Sequence, residues 1–108
     1  MNFVVIGKDK GQGELRARVR AEHLEYMSSQ QHLIVYAGPL IEGGRVIGSL
    51  FVFDVPERAA LDAYMAGDPY FRHEIFEKVE VYESRWMVPE REPGSILAEA
   101  GRARQAMG

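Results

Sequence analysis

The sequence predicts an α+β domain in which two helices pack on one face of a four-stranded antiparallel sheet. Three observations predict it. Short β-rich apolar runs alternate with runs of helical period in the order strand, helix, strand, strand, helix, strand. A Gly-Gly pair between the second and third strands marks a tight hairpin. The chain of 108 residues is long enough for one modest core, burying roughly 65% of its unfolded surface.

Asn2 to Gly7 (NFVVIG) reads as the first strand, and Lys8 to Gly13 as a polar, glycine-punctuated turn. Glu14 to Met27 reads as a helix with Leu15, Val19 and Tyr26 along its apolar face. His23 is expected at the edge of that stripe, and Arg16, Arg18 and Glu25 in solvent. His32 to Gly38 is the second strand, closed by Pro39, and Val46 to Val55 the third. Pro56 suits the first turn of a second helix, whose apolar face is Ala60, Leu61, Tyr64 and Met65 and whose stop is Gly67. Asp68-Pro69 caps and starts a further short turn, and Glu77 to Val88 is the fourth strand. This order gives a ferredoxin-like βαββαβ arrangement. Residues 1–90 form the expected domain. Residues 91–108 form a tail, with a short helix from Ser95, its cap, to Met107.

Leu33 to Ala37 and Leu50 to Phe53 are apolar on both faces. A sheet with one wet face alternates instead, and two helices cover only one side. A second copy of the chain is the simplest cover for the other, so a homodimer is expected. A net charge of −3 provides no basic field for nucleic acid. The lack of a long apolar run or of a leader argues against a membrane span or secretion, so a cytoplasmic location is expected. The absence of cysteine excludes disulfides, thiolate metal sites and cysteine nucleophiles.

Few side chains remain for chemistry. His23 can move a proton near neutral pH, although its spacing alone fits an ordinary boundary histidine. Asp68 reads first as a helix cap, a role compatible with orienting a histidine. Ser49 offers a hydroxyl, Arg20 a site for an anionic group, and Tyr70 and Trp86 aromatic walls; each also has a plain structural reading. His32 starts a strand. The three histidines lack ligand spacing, so no metal is expected, and Gly11-Gln12-Gly13 is not a phosphate loop.

Arg20-Ala21-Glu22-His23-Leu24 resembles the first-helix motif of YCII-related proteins. Gly38-Pro39-Leu40 resembles their hairpin entry, Gly48-Ser49 the small pair of their third strand, and Asp68-Pro69-Tyr70 their most recognisable tripeptide. The resemblance runs over roughly residues 2 to 88. It implies a dimeric α+β barrel similar to muconolactone isomerases, with a site built on His23 and Asp68. One branch of the family eliminates chloride from chlorinated hydroxyquinols. Where the family often has glycine after the tripeptide, this chain has Glu74, next to His73.

The function expected is acid–base chemistry by His23 and Asp68 on a small cyclic or carbonyl metabolite, an elimination or isomerisation without a cofactor. Arg20, Ser49 and Tyr70 would bind the substrate. The alternative is a non-catalytic dimer that binds a small ligand or a protein partner. A haem-degrading or quinol-oxidising monooxygenase is the third reading.

Overall fold

The computed structural model describes residues 1–11 and 13–108. In chain order it has strand β1 (Asn2–Asp9), helix α1 (Glu14–Ser29), a 3₁₀ turn (Gln31–Leu33), β2 (Ile34–Glu42), β3 (Arg45–Asp54), α2 (Arg58–Gly67), α3 (Pro69–Arg72), β4 (Phe76–Ser84) and α4 (Ser95–Met107). The sheet order is β2-β3-β1-β4 and every neighbouring pair is antiparallel, which is the ferredoxin-like arrangement. The expected turn at Lys8 to Gly13 is shorter, because β1 continues to Asp9; its Gln12 lies outside the described residues.

Register assigns each side chain to a face. Phe3 pairs with Phe53, Val5 with Phe51 and Gly7 with Ser49; this face is covered by the helices. Phe3, Val5, Phe51 and Phe53 meet Val19, Leu61, Tyr64, Tyr70, Ile75 and Phe76 in one core. The other face carries Val4 opposite Val52 and Ile6 opposite Leu50, flanked by Tyr36 and Tyr82. Among the described residues this face stays open enough that Tyr36 and Tyr82 remain 58% and 52% exposed.

Several boundaries differ from the sequence expectation for physical reasons. Pro39 does not close β2; the strand runs through it to Glu42. β2 is an edge strand, where a missing N–H costs no ladder bond. The hairpin then turns at Gly43 and Gly44, with φ of 56° and 77°, as a two-residue loop between the paired Glu42 and Arg45. Pro56 precedes α2, whose N-cap is Glu57. Gly67 is the last residue of α2 rather than its stop, since the C-cap is the extended Asp68; it is glycine for reasons of space, because a Cβ there would sit 2.5 Å from the Tyr26 hydroxyl. β4 ends at Ser84, so Trp86 lies beyond it, its indole N–H donating to the Pro89 carbonyl and Arg91 stacked 3.8 Å from its ring centre.

The cap of α4 is Gly94, not Ser95. The Glu90 carboxylate accepts the Gly94 and Ile96 N–H groups and so satisfies the exposed start of the helix. None of the α4 residues is buried. The Cα radius of gyration, 16.8 Å, exceeds the ~13 Å of a compact chain of this length, as expected if α4 stands away from the sheet. Among the described residues no helix is long and apolar enough to cross a membrane.

Candidate functional site

Helix α1 presents a mixed stripe to the sheet. Val19 and His23 are its buried residues, and Arg16, Tyr26 and Met27 extend the stripe in both directions. His23 is therefore not at the boundary: it is 5% exposed and packed against the core. Its ring lies flat on Tyr70, centroids 3.6 Å apart and planes 5° apart, with the edge of Phe51 beside it.

Asp68 links α2 to α3 and is fully buried. Its Oδ1 accepts the Tyr70 N–H at 2.9 Å, the N-cap bond expected from Asp-Pro. The same oxygen lies 2.7 Å from Nδ1 of His23, and Oδ2 accepts the Tyr64 hydroxyl at 2.8 Å. One carboxylate thus caps a helix and meets a histidine 45 residues away. Three donors offset the cost of burying it. Burial, then the charge and hydrogen bond of Asp68, push the Tyr64 phenol far above the usual tyrosine range. Tyr26, which donates to the Tyr64 carbonyl at 2.9 Å, is raised by burial and by Asp68.

The Asp68 contact fixes the imidazole. An ionised carboxylate only accepts, so Nδ1 carries the proton and Nε2 of the neutral ring carries a lone pair. Nε2 makes no hydrogen bond among the described residues, and no buried polar side-chain atom there lacks a partner. Nε2 is therefore open to the cavity that His23 lines. That cavity has a volume of about 290 Å³, at the small end for ligand pockets. Leu24, Met27, Pro39, Val46 and Phe51 give it apolar walls, while Arg16, Arg20, His23, Ser49 and Tyr70 bring polar atoms.

All three residues expected to bind substrate, Arg20, Ser49 and Tyr70, line this cavity with His23. Asp68 stands behind the imidazole rather than in the wall. Trp86 does not belong to the site; it lines a hollow beside Val4 and Val52. His32 and His73 are exposed. Glu74 is exposed with φ of 51° and lines a different hollow with Phe71 and Glu77, so it does not shape this cavity. The left-handed backbone at Glu74 accounts for a glycine preference at this point. Among the described residues no group of three or more histidine, aspartate or glutamate side chains is placed to hold a metal ion.

Two further residues, Arg16 and Asp9, complete the site from positions the sequence does not single out. Arg16, expected in solvent, turns inward. Its Nε and Nη2 donate to the two oxygens of Asp9 at 2.7 and 2.9 Å, and Nη2 also donates to Ser49 Oγ at 2.8 Å. The guanidinium carbon lies 4.9 Å from the Tyr70 ring centre. Burial works against the Arg16 charge, but the hydrogen bond and charge of Asp9 outweigh it and raise the pKa further. Burial raises the Tyr70 phenol, with Arg16 and Arg20 pulling the other way. The spacing held the signal: Arg16, Val19 and His23 lie three and four residues apart, on one helical face. Asp9 likewise continues the alternation Phe3, Val5, Gly7 on the helix-covered face of β1.

The family model described as YCII-related domain matches residues 1–85. No curated protein matches the chain. Among solved structures, 5-chloro-2-hydroxyhydroquinone dehydrochlorinase (TftG) from Burkholderia phenoliruptrix, in complex with 2,5-dihydroxybenzoquinone, superposes with a TM-score of 0.68 at 23% identity. The match covers 81% of this chain and 94% of that one. Rv0793 from Mycobacterium tuberculosis gives 0.54 at 16% identity, over 82% and 99%. SnoaB, a cofactor-independent oxygenase from Streptomyces nogalater, gives 0.51 at 16% identity, over 82% and 96%. At these identities the likeness shows the fold.

Proposed function

The chain belongs to the YCII-related family, and from that premise we propose that His23 is a general base acting on a small cyclic or carbonyl-containing molecule, with Asp68 as its orienting carboxylate. The observation that carries this is the 2.7 Å contact from Nδ1 to Asp68, which leaves the Nε2 lone pair facing a cavity of ligand size. Nε2 takes a proton from a carbon next to a carbonyl, the C–H electron pair passes into an enolate, and Asp68 stabilises the imidazolium. The enolate then expels a leaving group, an elimination, or regains the proton at another carbon, an isomerisation. Acid–base assistance of this kind contributes about 10²–10⁴-fold. The dehydrochlorination named for the Burkholderia neighbour supports the elimination branch.

The experiment follows proton exchange at carbon, which needs no knowledge of the leaving group. In D₂O, proton NMR of a panel of enolisable cyclic carbonyl compounds, 2,5-dihydroxybenzoquinone among them, should show exchange accelerated by the wild type for at least one member. The same exchange should disappear in His23→Ala. Binding without exchange across the panel, or unchanged exchange in His23→Ala, would refute the reading and favour a ligand-binding protein.

The same reading includes a homodimer closed by the open sheet face, as a dimeric α+β barrel. The apolar row of Val4, Ile6, Leu50 and Val52 supports it. Sedimentation should give a dimer for the wild type and a monomer for Val52→Glu; a monomeric wild type would refute this part.

A further inference from the structure

The chain is acidic overall, at net charge −3, yet three arginines meet at one place. Arg16 and Arg20 line the cavity that holds His23. A neighbouring hollow shares Arg16, Arg20 and Val46 with it and adds Arg45. Among the described residues no carboxylate lines either hollow. The arginines engaged in ion pairs there are Arg16, Arg58, Arg91 and Arg102, so Arg20 and Arg45 keep unpaired charges. Asp9 does not cancel them, because Arg16 occupies both of its oxygens and its side chain is only 4% exposed.

The inner arginine is held ready. The fork to Asp9 fixes the guanidinium plane, and the second Nη2 proton goes to Ser49. The remaining guanidinium nitrogen, Nη1, is not a buried unpartnered atom, and the Tyr70 hydroxyl stands beside the guanidinium and is influenced by it, so Arg16 and Tyr70 present their polar groups together to the cavity both residues line. Ser49, having accepted from Arg16, keeps its own hydroxyl proton as a further donor. The polar wall therefore offers donors fixed in place before any ligand arrives, the arrangement that stabilises negative oxygen best.

We propose that the ligand of this site is an anion: a small planar molecule whose ionised oxygen is received by Arg16 and Ser49 after entry past Arg20 and Arg45. Asp9 acts as a positioning residue through Arg16. The inference rests on the acid–base reading of His23 and names its ligand class. It also accounts for where the negative charge goes as a proton leaves carbon, since an enolate oxygen meets the same donors.

The test is calorimetric, with two matched pairs of probes. One is 2,5-dihydroxybenzoquinone, an acidic enol, against its neutral dimethyl ether; the other is benzoate against benzamide. The wild type should bind at least one anion at least about tenfold more tightly than its neutral partner, and the pair that shows this tells an enolate from a carboxylate. Arg16→Gln alone strands the buried Asp9 charge, so it is combined with Asp9→Asn. That double variant should lose about 10- to 100-fold of affinity for the anion and little for the neutral probe. Arg20→Gln with Arg45→Gln, both on the surface, should flatten the salt dependence of anion binding. Equal affinity for anion and neutral partner, selectivity unchanged in both double variants, or no binding of any probe would overturn the proposal. Separate failures are distinguishable: lost selectivity with His23-dependent proton exchange intact sinks only this inference. Retained selectivity with exchange independent of His23 sinks only the acid–base reading.

Discussion

Replacing Asp68 by asparagine keeps the volume of the side chain and removes its charge, at a fully buried position. The carboxylate accepts from Tyr70 N–H, His23 Nδ1 and the Tyr64 hydroxyl. An amide oxygen can keep the two bonds now made to Oδ1, but its NH₂ then confronts the Tyr64 hydroxyl, which donates to Oδ2. Hydrogen bonds to a charged group are worth about 1.5–3 kcal/mol against about 0.5–1.5 for neutral pairs. A loss of about 1 kcal/mol at each of three bonds gives about 3 kcal/mol for Asp68→Asn. That is a large part of the ~5–15 kcal/mol that holds a domain of this size together, and it lowers the Tm by roughly 12–20 °C. Urea unfolding followed by circular dichroism, at neutral pH and a fixed protein concentration, measures it. A loss below about 1 kcal/mol, the range of an ordinary surface change, would refute the reasoning that one buried charge organises the three donors.

Tyr64→Phe deletes one of those bonds and should cost about 1.5–3 kcal/mol by the same assay. It should also change the alkaline limb. The folded state holds the Tyr64 proton far above ~10, where the unfolded chain releases it. That stabilisation is complete below ~10 and lost as pH rises, so stability should fall less steeply in alkali for Tyr64→Phe than for wild type; equal slopes would contradict it. Gly67→Ala should destabilise by about 1–3 kcal/mol despite alanine's better helix propensity, because its Cβ displaces Tyr26 from the Tyr64 carbonyl; a gain in stability would contradict the packing. The Glu90 carboxyl sits below the usual glutamate range because it accepts backbone N–H groups of Ile96 and Gly94. The support it gives α4 is present above ~4.3 and lost as pH falls through its lowered value. Hydrogen exchange should show reduced protection of Ile96 in Glu90→Gln and in acidified wild type; equal protection would contradict the cap.

The order of elements was legible because β-rich apolar runs and period 3.6 leave separate traces, as in Asn2 to Gly7 and Leu61-Tyr64, whereas the buried face of each strand came only with the register. The end of β2 was not, since Pro39 forbids a central strand and says nothing of an edge. The site was legible in a different way. His23 and Asp68 emerged as a pair through a family resemblance; spacing alone made one a boundary residue and the other a cap. Arg16 was hidden by the habit of placing arginines in water, which holds until a buried acid such as Asp9 waits on the facing strand. The tail shows the same limit. Ser95 has the chemistry of a cap, but Glu90 reaches the helix start from outside the usual capping position.

Which nitrogen of the His23 ring carries the proton decides whether the imidazole can serve as a base. Two-bond ¹⁵N–¹H correlation spectra of the histidine side chains, taken at a pH where the imidazole is neutral, report which nitrogen carries the proton. The Nδ1–H form is expected for His23, with a bare Nε2 whose shift responds to an added ligand. A proton on Nε2 in the free protein would contradict it.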